Sequence, residues 1–476
     1  MKDLMNRRDA MKMIGLGFAT LRSYSSLASP AASTRQKPNI IFMVADNLGR
    51  ESVGYYDEIP TKSASGKNKK IATPNMDKLA SEGVVFDNCL IAMPLCSPAR
   101  CGWNTGRNPY RVGITGQTNP RDPESGLSPQ EVTIAEILKE AGYDTALFGK
   151  WNLGYDVKFN PLYQGFDEYY GSNAGHADYY THLYNSDMKS HFYHGLKPVE
   201  EDGYFDKLFT NAAIEYLRKR RENPRPFYLN LCFYAPHGPY QAPPGYYHSD
   251  DPAENHTHMV QYLDLCVGRV MDEVERLGLA ENTLVVFLSD QGSSFLNDYG
   301  RTLSEGGLKV ICNARWKGKI PAGKRVQTPW MHPDLFAVFA GVAGTRIPQD
   351  RVIDAEDIWP LFEGKELEHN RTLYWSFKNE DAIRVGDWKL RMIDGKVVGL
   401  FNLAADPGEK RDLSAENSQK VSQMRELQAK WKKECEAQRT SVVDSGQGQR
   451  KKEEKKEKTK DKTRGKDQVK AQAKEE

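Results

Sequence analysis

Four short apolar runs constrain the fold of this chain more than any other feature. They are "NIIFMVADNLG" (39–49), "YDTALFGKWNLG" (143–154), "PFYLNLCFYAPHGP" (226–239) and "NTLVVFLSDQGSS" (282–294). Each is continuously apolar for about six residues and then stops abruptly at polar ones. Strands that alternate would have one wet face, whereas unbroken runs are what strands buried on both faces look like. Amphipathic helical stretches, "TIAEILKEAG" (133–142) and "HMVQYLDLCVGRVMDEVERLG" (258–278), lie between them. The alternation predicts an α/β fold: a large, mostly parallel or mixed sheet sandwiched by helices.

In such sheets ligands bind beyond the carboxyl ends of the strands. Asp46 and Asn47, Lys150 and Asn152, His237, and Asp290 with Gln291 close the four runs. These residues are therefore expected to converge although they span about 245 positions. Beyond about residue 345 the texture changes. "RTLYWSFKNEDAIRVGDWKLRMIDGKVVGLFNLAADPGE" (371–409) alternates like short antiparallel strands, and a final amphipathic helix follows with Val421, Met424, Leu427 and Trp431 on one face. The expected organisation is a principal domain over 33–345 and a smaller C-terminal α+β subdomain over 346–440 carrying a short antiparallel sheet.

The two ends of the chain read differently from its body. Residues 1–32 place Arg7, Arg8 and Lys12 before a short apolar run and small residues, which is the pattern of a twin-arginine export signal. A periplasmic or secreted location is expected. The apolar run is too short for a transmembrane span, and none is expected. Residues 441–476 are rich in Lys and Glu and read as a disordered, solvated tail. The first 32 residues carry +3 and residues 449–476 carry +5, so the rest holds −6 of the total +2. A mildly acidic body lacks the basic face of a nucleic-acid reader, and no nucleic-acid partner is expected. The seven cysteines (89, 96, 101, 232, 266, 312 and 435) form no CxxC pair, which argues against a zinc ribbon or a dense disulfide framework.

Asp46, Asn47, Asp290 and Gln291 offer only oxygen ligands, two of them carboxylates. Such a set suits one calcium ion better than zinc, the plainer alternative being strand-end capping without metal. Cys96 lies two residues before Pro98, a good first helical residue, with Arg100 one turn further on. A sulfur at a helix start beside an arginine fits two roles, a low-pKa thiolate nucleophile and an anion-binding site, and the residue chemistry leaves both open.

"CSPARCGWNTGR" (96–107) resembles the signature of the sulfatase family, a C-x-P-x-R core followed by TGR and, further on, GKW. The resemblance extends through "PNIIFMVADNLG", "LCFYAPHGPYQAPPGYY", "FLSDQGSS", "LSEGGLKV" with "GKIPAG", and "LFNLAADPGEKRDL". It implies an arylsulfatase-like, formylglycine-dependent enzyme of the alkaline phosphatase superfamily acting on a sulfated small molecule or glycan. On that resemblance, a formylglycine-generating enzyme converts Cys96 to formylglycine, whose hydrate attacks sulfur. Arg100 holds the hydrate, Lys150 binds a sulfate oxygen, and His237 binds or protonates the leaving oxygen. Calcium rests on Asp46, Asn47, Asp290 and Gln291.

Three positions depart from the family pattern. Asn47 stands where an aspartate is common and Asn152 where a histidine is common. Gly300 occupies a position often held by lysine. Adjacent Arg301 is a candidate replacement for that sulfate-binding cation, and Lys309 a weaker one expected to be solvated. Asn152 and Arg301 are therefore read as substrate-binding residues. His176 and His182, in "GSNAGHADYYTHLYNSD" (171–187), read as packed loop aromatics, with sugar contact as the alternative. Two rivals share the site: a phosphodiesterase or phosphonate monoester hydrolase, and a glycan-binding member with weak turnover.

Overall fold

The computed structural model describes residues 37–56, 71–223, 225–293, 301–368 and 371–443. The export signal expected over 1–32, Gly300, and the charged tail from residue 444 onward lie outside the described residues.

The main sheet has ten strands: β1 Asn39–Ala45, β2 Val84–Phe86, β3 Asp144–Lys150, β4 Glu168–Ser172, β5 Phe192–His194, β6 Lys197–Pro198, β7 Phe227–Cys232, β8 Thr283–Ser289, β9 Cys312–Arg315 and β10 Lys324–Val326. Their order across the sheet is β10-β2-β9-β8-β1-β7-β3-β4-β5-β6. The central strands β8, β1, β7, β3 and β4 run parallel, and antiparallel strands extend the sheet on both sides. The four apolar runs are thus the four adjacent middle strands, and the sheet is mixed at its margins.

Strand β1 shows why the runs are unbroken. Ile40, Phe42 and Val44 enter one hydrophobic core, and Ile41, Met43 and Ala45 enter another on the opposite face. The first core is closed by α2 Cys96–Thr105, α3 Ile134–Glu140 and α6 Leu335–Ala343; the second by α1 Pro74–Ser81, α4 Phe205–Arg220 and α5 Pro252–Arg276. Each fully buried side chain of this size contributes about 1.5–3 kcal/mol, and Phe42→Ala would cost about 3–5 kcal/mol.

Four consecutive antiparallel strands, β11 Thr372–Phe377, β12 Glu380–Val385, β13 Trp388–Ile393 and β14 Lys396–Asn402, form the small C-terminal sheet. Its first strand belongs to the main core: Leu373, Trp375 and Phe377 pack there, and Trp375 Nε1 donates to Ile91 O at 2.8 Å. Helix α7, Ser418–Glu436, lies against this sheet. Its inward face differs from the sequence expectation. Met424 and Trp431 are buried, but Leu427 is 41% exposed, and Gln428 and Cys435 take the inward positions. The stripe steps by four from Met424 to Gln428, whose Nε2 donates to Trp375 O at 2.8 Å, so a backbone acceptor beneath the helix sets the face. All seven cysteines are free and buried.

Candidate active site

The site is built where the central strands end. Asp46 follows β1 and Asp290 follows its neighbour β8, and Asp290 N donates to Ala45 O at 3.0 Å. Lys150 closes β3. Its position depends on Gly149, whose φ is +107° and where a Cβ would sit 1.8 Å from Cys232 O of β7. Only glycine permits that approach of β3 to β7, which explains the small residue in "FGKW". His237 lies in the "APHGP" loop after β7. That loop is held from below by buried Asp206, which accepts Tyr234 N at 2.8 Å and Ala235 N at 3.1 Å.

Helix α2 begins at Cys96 itself, with Leu95 as an extended N-cap, so Pro98 is the third helical residue rather than the first. Every residue of this helix is buried. It ends at Gly106, whose φ is +66° and where a Cβ would press on the Phe336 ring at 2.7 Å.

Around Cys96 Sγ these elements converge as expected. The thiol lies 3.5 Å from Asp46 Oδ1 and receives Gln291 Nε2 at 3.0 Å. Gln291 also donates to Asn47 Oδ1, and Asn47 N donates to Asp290 Oδ1 at 3.1 Å. Arg100, 1% exposed, forks between Asp290 Oδ2 at 2.9 Å and Lys150 O at 2.7 Å. The Lys150 ammonium bonds Asp46 Oδ2. Single ligand atoms of Asp46, Cys96 and His237 all lie within 4.8 Å of one another. His237 Nδ1 bonds Gly238 O at 2.6 Å, which leaves Nε2 for the site.

The electrostatics follow from two buried carboxylates, Asp46 and Asp290, packed against two buried cations, Arg100 and Lys150. Burial alone would raise Asp46, but Lys150, His237 and Arg100 hold its carboxyl below the usual range. Burial and the neighbouring Asp46 charge push Asp290 up to about 7. Burial lowers His237 to about 4, against the pull of Asp46. The thiolate reading of Cys96 is corrected here. Burial, reinforced by Asp46, pushes the thiol up to about 12 despite Lys150 and Arg100. The helix-start field that favours a thiolate is worth about 0.3–1 kcal/mol, less than the roughly 4 kcal/mol that a rise from 9 to 12 represents.

The donor set fits a hard divalent cation. Asp46, Asn47 and Asp290 hold oxygens at adjoining strand ends, the Gln291 amide lies against Asn47 Oδ1, and the Asp290 carboxyl is raised by burial and by the neighbouring Asp46 charge, which a cation between the two would relieve. An oxygen in place of Cys96 Sγ would meet the same Gln291 and Asp46 groups.

The residues expected to bind substrate have the following surroundings. Asn152 is fully buried and in a left-handed conformation, with φ +54°. Its Nδ2 donates to Gln117 Oε1 at 3.0 Å, its Oδ1 accepts Thr118 Oγ1 at 3.2 Å, and Gln117 in turn accepts Ser97 Oγ at 2.6 Å. Asn152 therefore reaches Cys96 only through Gln117 and Ser97. Arg301 is exposed and lies within electrostatic range of His176 and Tyr240. Lys309 is not a freely solvated lysine: its Nζ lies 3.5 Å from Glu305 Oε2 and its side chain is 22% exposed.

A sulfatase family profile matches residues 38–345, which include every residue of this constellation. The chain belongs to the sulfatase family. It is accordingly a sulfuric ester hydrolase. The sulfatase is 30% identical to the N-acetylgalactosamine-6-sulfatase of Canis lupus familiaris over 404 residues, covering 78% of this chain and 75% of that protein. It is 28% identical to the human steryl-sulfatase over 442 residues, covering 72% of each. Among solved structures, Ps i-CgsB in complex with k-i-k-neocarrahexaose superposes with a TM-score of 0.77 at 28% identity, covering 87% of this chain and 96% of that one. PsFucS1 sulfatase from Pseudoalteromonas sp. shares the fold with a TM-score of 0.70 at 22% identity, covering 85% of this chain and 91% of that one.

His182 of this sulfatase is a packed loop residue, stacked on Phe205 at 4.1 Å and bonded to Gly203 O at 2.9 Å. His176 is not. Its ring stacks on His237 with centroids 5.8 Å apart and planes 13° from parallel. Sequence reading set His176 aside, although a signal was present: it follows the carboxyl end of β4, a parallel strand beside β3.

Proposed function

We propose that this sulfatase is an exported hydrolase of glycan sulfate esters, working through a formylglycine made from Cys96 by a formylglycine-generating enzyme and holding one calcium ion on Asp46, Asn47, Asp290 and Gln291. The modified side chain supplies an oxygen nucleophile and the calcium supplies positive charge for sulfate oxygens. The twin-arginine pattern of residues 1–32 supports export to the periplasm or beyond. The N-acetylgalactosamine-6-sulfatases among the relatives, and the k-i-k-neocarrahexaose in the complex of Ps i-CgsB, support a glycan substrate.

The chain's own residues divide the remaining work. Arg100 is fixed by Asp290 and the Lys150 carbonyl, so its guanidinium offers permanent positive charge beside residue 96 without reorganising. Lys150 brings a second cation on Asp46, and a sulfate oxygen is the further acceptor it serves. Gln291 holds the nucleophilic position at 3.0 Å. His237 donates Nδ1–H to Gly238 and presents Nε2 to the leaving oxygen. Burial keeps the free imidazole neutral; a bound sulfate anion adds negative charge that favours the imidazolium, whose Nε2–H then protonates the leaving oxygen.

The observation that carries this reading is the meeting of Asp46, Arg100, Lys150, His237, Asp290 and Gln291 around one buried sulfur. The test is mass spectrometry of the peptide containing residue 96, from protein made with a formylglycine-generating enzyme, alongside sulfate release from sulfated galactosides. An aldehyde at residue 96 and sulfate release are expected. A plain thiol in active enzyme, or a large preference for an aryl phosphodiester over an aryl sulfate, would overturn the reading.

A further inference from the structure

His176 occupies the outer wall of the site, and its surroundings have the character of a sugar subsite. The segment that carries it is pinned at three points. Tyr234 OH donates to Ala174 O at 2.6 Å, Tyr155 OH accepts Gly175 N at 3.3 Å, and Gly175 lies so close to Asn152 that a Cβ there would meet its Oδ1 at 3.1 Å. The ring is thus preset rather than free to swing. On one side it stacks on His237; on the other Tyr184 meets it edge-on at 4.9 Å. Lys150, Asp46 and Arg301 all lie within electrostatic range of it.

Its ring nitrogens contrast with those of the other loop histidines. His182 and His191 bond Gly203 O and Asp187 Oδ2, each at 2.9 Å, whereas neither nitrogen of His176 bonds another described residue. His176 is half-buried, and its ring nitrogens are not among the buried unpartnered polar atoms of the described residues, so they are accessible to solvent. A fixed polar ring with open hydrogen-bonding capacity, parallel to the residue that faces the leaving oxygen, is placed to read what that oxygen is attached to. Arg301, exposed and without a hydrogen bond or ion pair to any described residue, stands at the same rim beside Tyr240.

We propose that His176 is a specificity-determining residue that hydrogen-bonds a ring hydroxyl of the sugar bearing the scissile sulfate. The proposal rests on the sulfate-ester reading of the Cys96 site. A sugar sulfate engages His176 through that hydroxyl, and an aryl sulfate, which has none, does not.

The experiment compares kcat/KM for galactose 6-sulfate and N-acetylgalactosamine 6-sulfate with that for 4-nitrophenyl sulfate, in wild-type enzyme and in His176→Phe, His176→Gln and His176→Ala. His176→Phe keeps a ring between His237 and Tyr184 and removes both nitrogens, so it separates packing from hydrogen bonding. Loss of one net hydrogen bond is worth roughly threefold to tenfold. The ratio of sugar sulfate to aryl sulfate kcat/KM should fall by that factor in His176→Phe and His176→Ala, chiefly through KM, with partial recovery in His176→Gln. An unchanged ratio in His176→Phe would overturn the role of His176 while leaving the sulfatase reading intact. Wild-type enzyme that releases sulfate from neither substrate class would overturn both.

Discussion

Glu305→Gln should uncouple the C-terminal sheet from the loop that carries Arg301, and its cost can be worked from the structure. Glu305 is 4% exposed. Its Oε1 accepts Lys389 Nζ of β13 at 2.9 Å, and its Oε2 lies 3.6 Å from Arg384 of β12 and 3.5 Å from Lys309. Burial would raise this carboxyl, but Lys389, Lys309 and Arg384 hold it down at about 2, from an ordinary 4.5. That difference corresponds to about 3 kcal/mol of stability. Because the folded value is depressed, the contribution is complete above pH 4.5 and is lost as pH falls towards 2. Glutamine removes it at every pH and leaves fully buried Lys389 with Glu409 as its remaining carboxylate, 3.0 Å away. Urea unfolding of both proteins should show a deficit of about 3 kcal/mol at pH 6 that narrows to roughly half of that at pH 3. A deficit that is equal at the two pH values, or below about 1 kcal/mol at pH 6, would refute the ion-pair account of this junction.

Three further outcomes follow from the site. Arg100→Lys keeps the charge but loses the fork between Asp290 and the Lys150 carbonyl; a buried charged contact of this kind is worth about 2–5 kcal/mol, so sulfate release should fall by roughly 30-fold or more, and a loss under threefold would count against the assigned role. Treatment with EGTA should lower both activity and melting temperature, and calcium at about 100 times its dissociation constant should restore about 2.7 kcal/mol of stability; no change in melting temperature would argue against an ion on Asp46 and Asp290. Asp206→Asn cannot accept both Tyr234 N and Ala235 N, so it strands one buried donor at about 1–3 kcal/mol. It should lower kcat together with thermal stability, since the same loop carries His237, and full kcat would show that the loop holds His237 without this anchor.

The parts of the site that were legible in the chain are those fixed by strand ends. A continuous apolar run must stop where the sheet stops, and whatever polar residue comes next is delivered to the same edge as its neighbours. Asp46, Lys150, His237 and Asp290 needed no side-chain geometry to be placed there. Gly149 shows how tightly that delivery is specified: the carbonyl of Cys232 occupies the space of its missing Cβ. Field and burial were harder to weigh. A helix start and an arginine both favour a Cys96 thiolate, yet the desolvation that fixes the sign depends on how completely the surrounding elements bury the sulfur, which no local pattern encodes.

The two loop histidines show the limit most clearly. His176 and His182 are six residues apart in one aromatic-rich segment, and in sequence both read alike as packed loop aromatics. Tertiary partners separate them. Phe205 of α4 and the Gly203 carbonyl absorb His182 into the second core. Tyr234 takes the carbonyl of Ala174 and Asn152 receives Gly175 in close contact, which turns the next residue towards His237. The buried asparagine at 152, in the position where the family resemblance leads one to expect a histidine, is therefore part of what seats a different histidine beside the site. Its side chain is engaged by Gln117 and Thr118, so the polar contact that the resemblance assigns to residue 152 is not available from it directly. The imidazole at 176, stacked on His237, has ring nitrogens that bond no described residue. A change at 152 that displaced Gly175 should consequently alter discrimination between sugar and aryl sulfates before it altered the groups around residue 96.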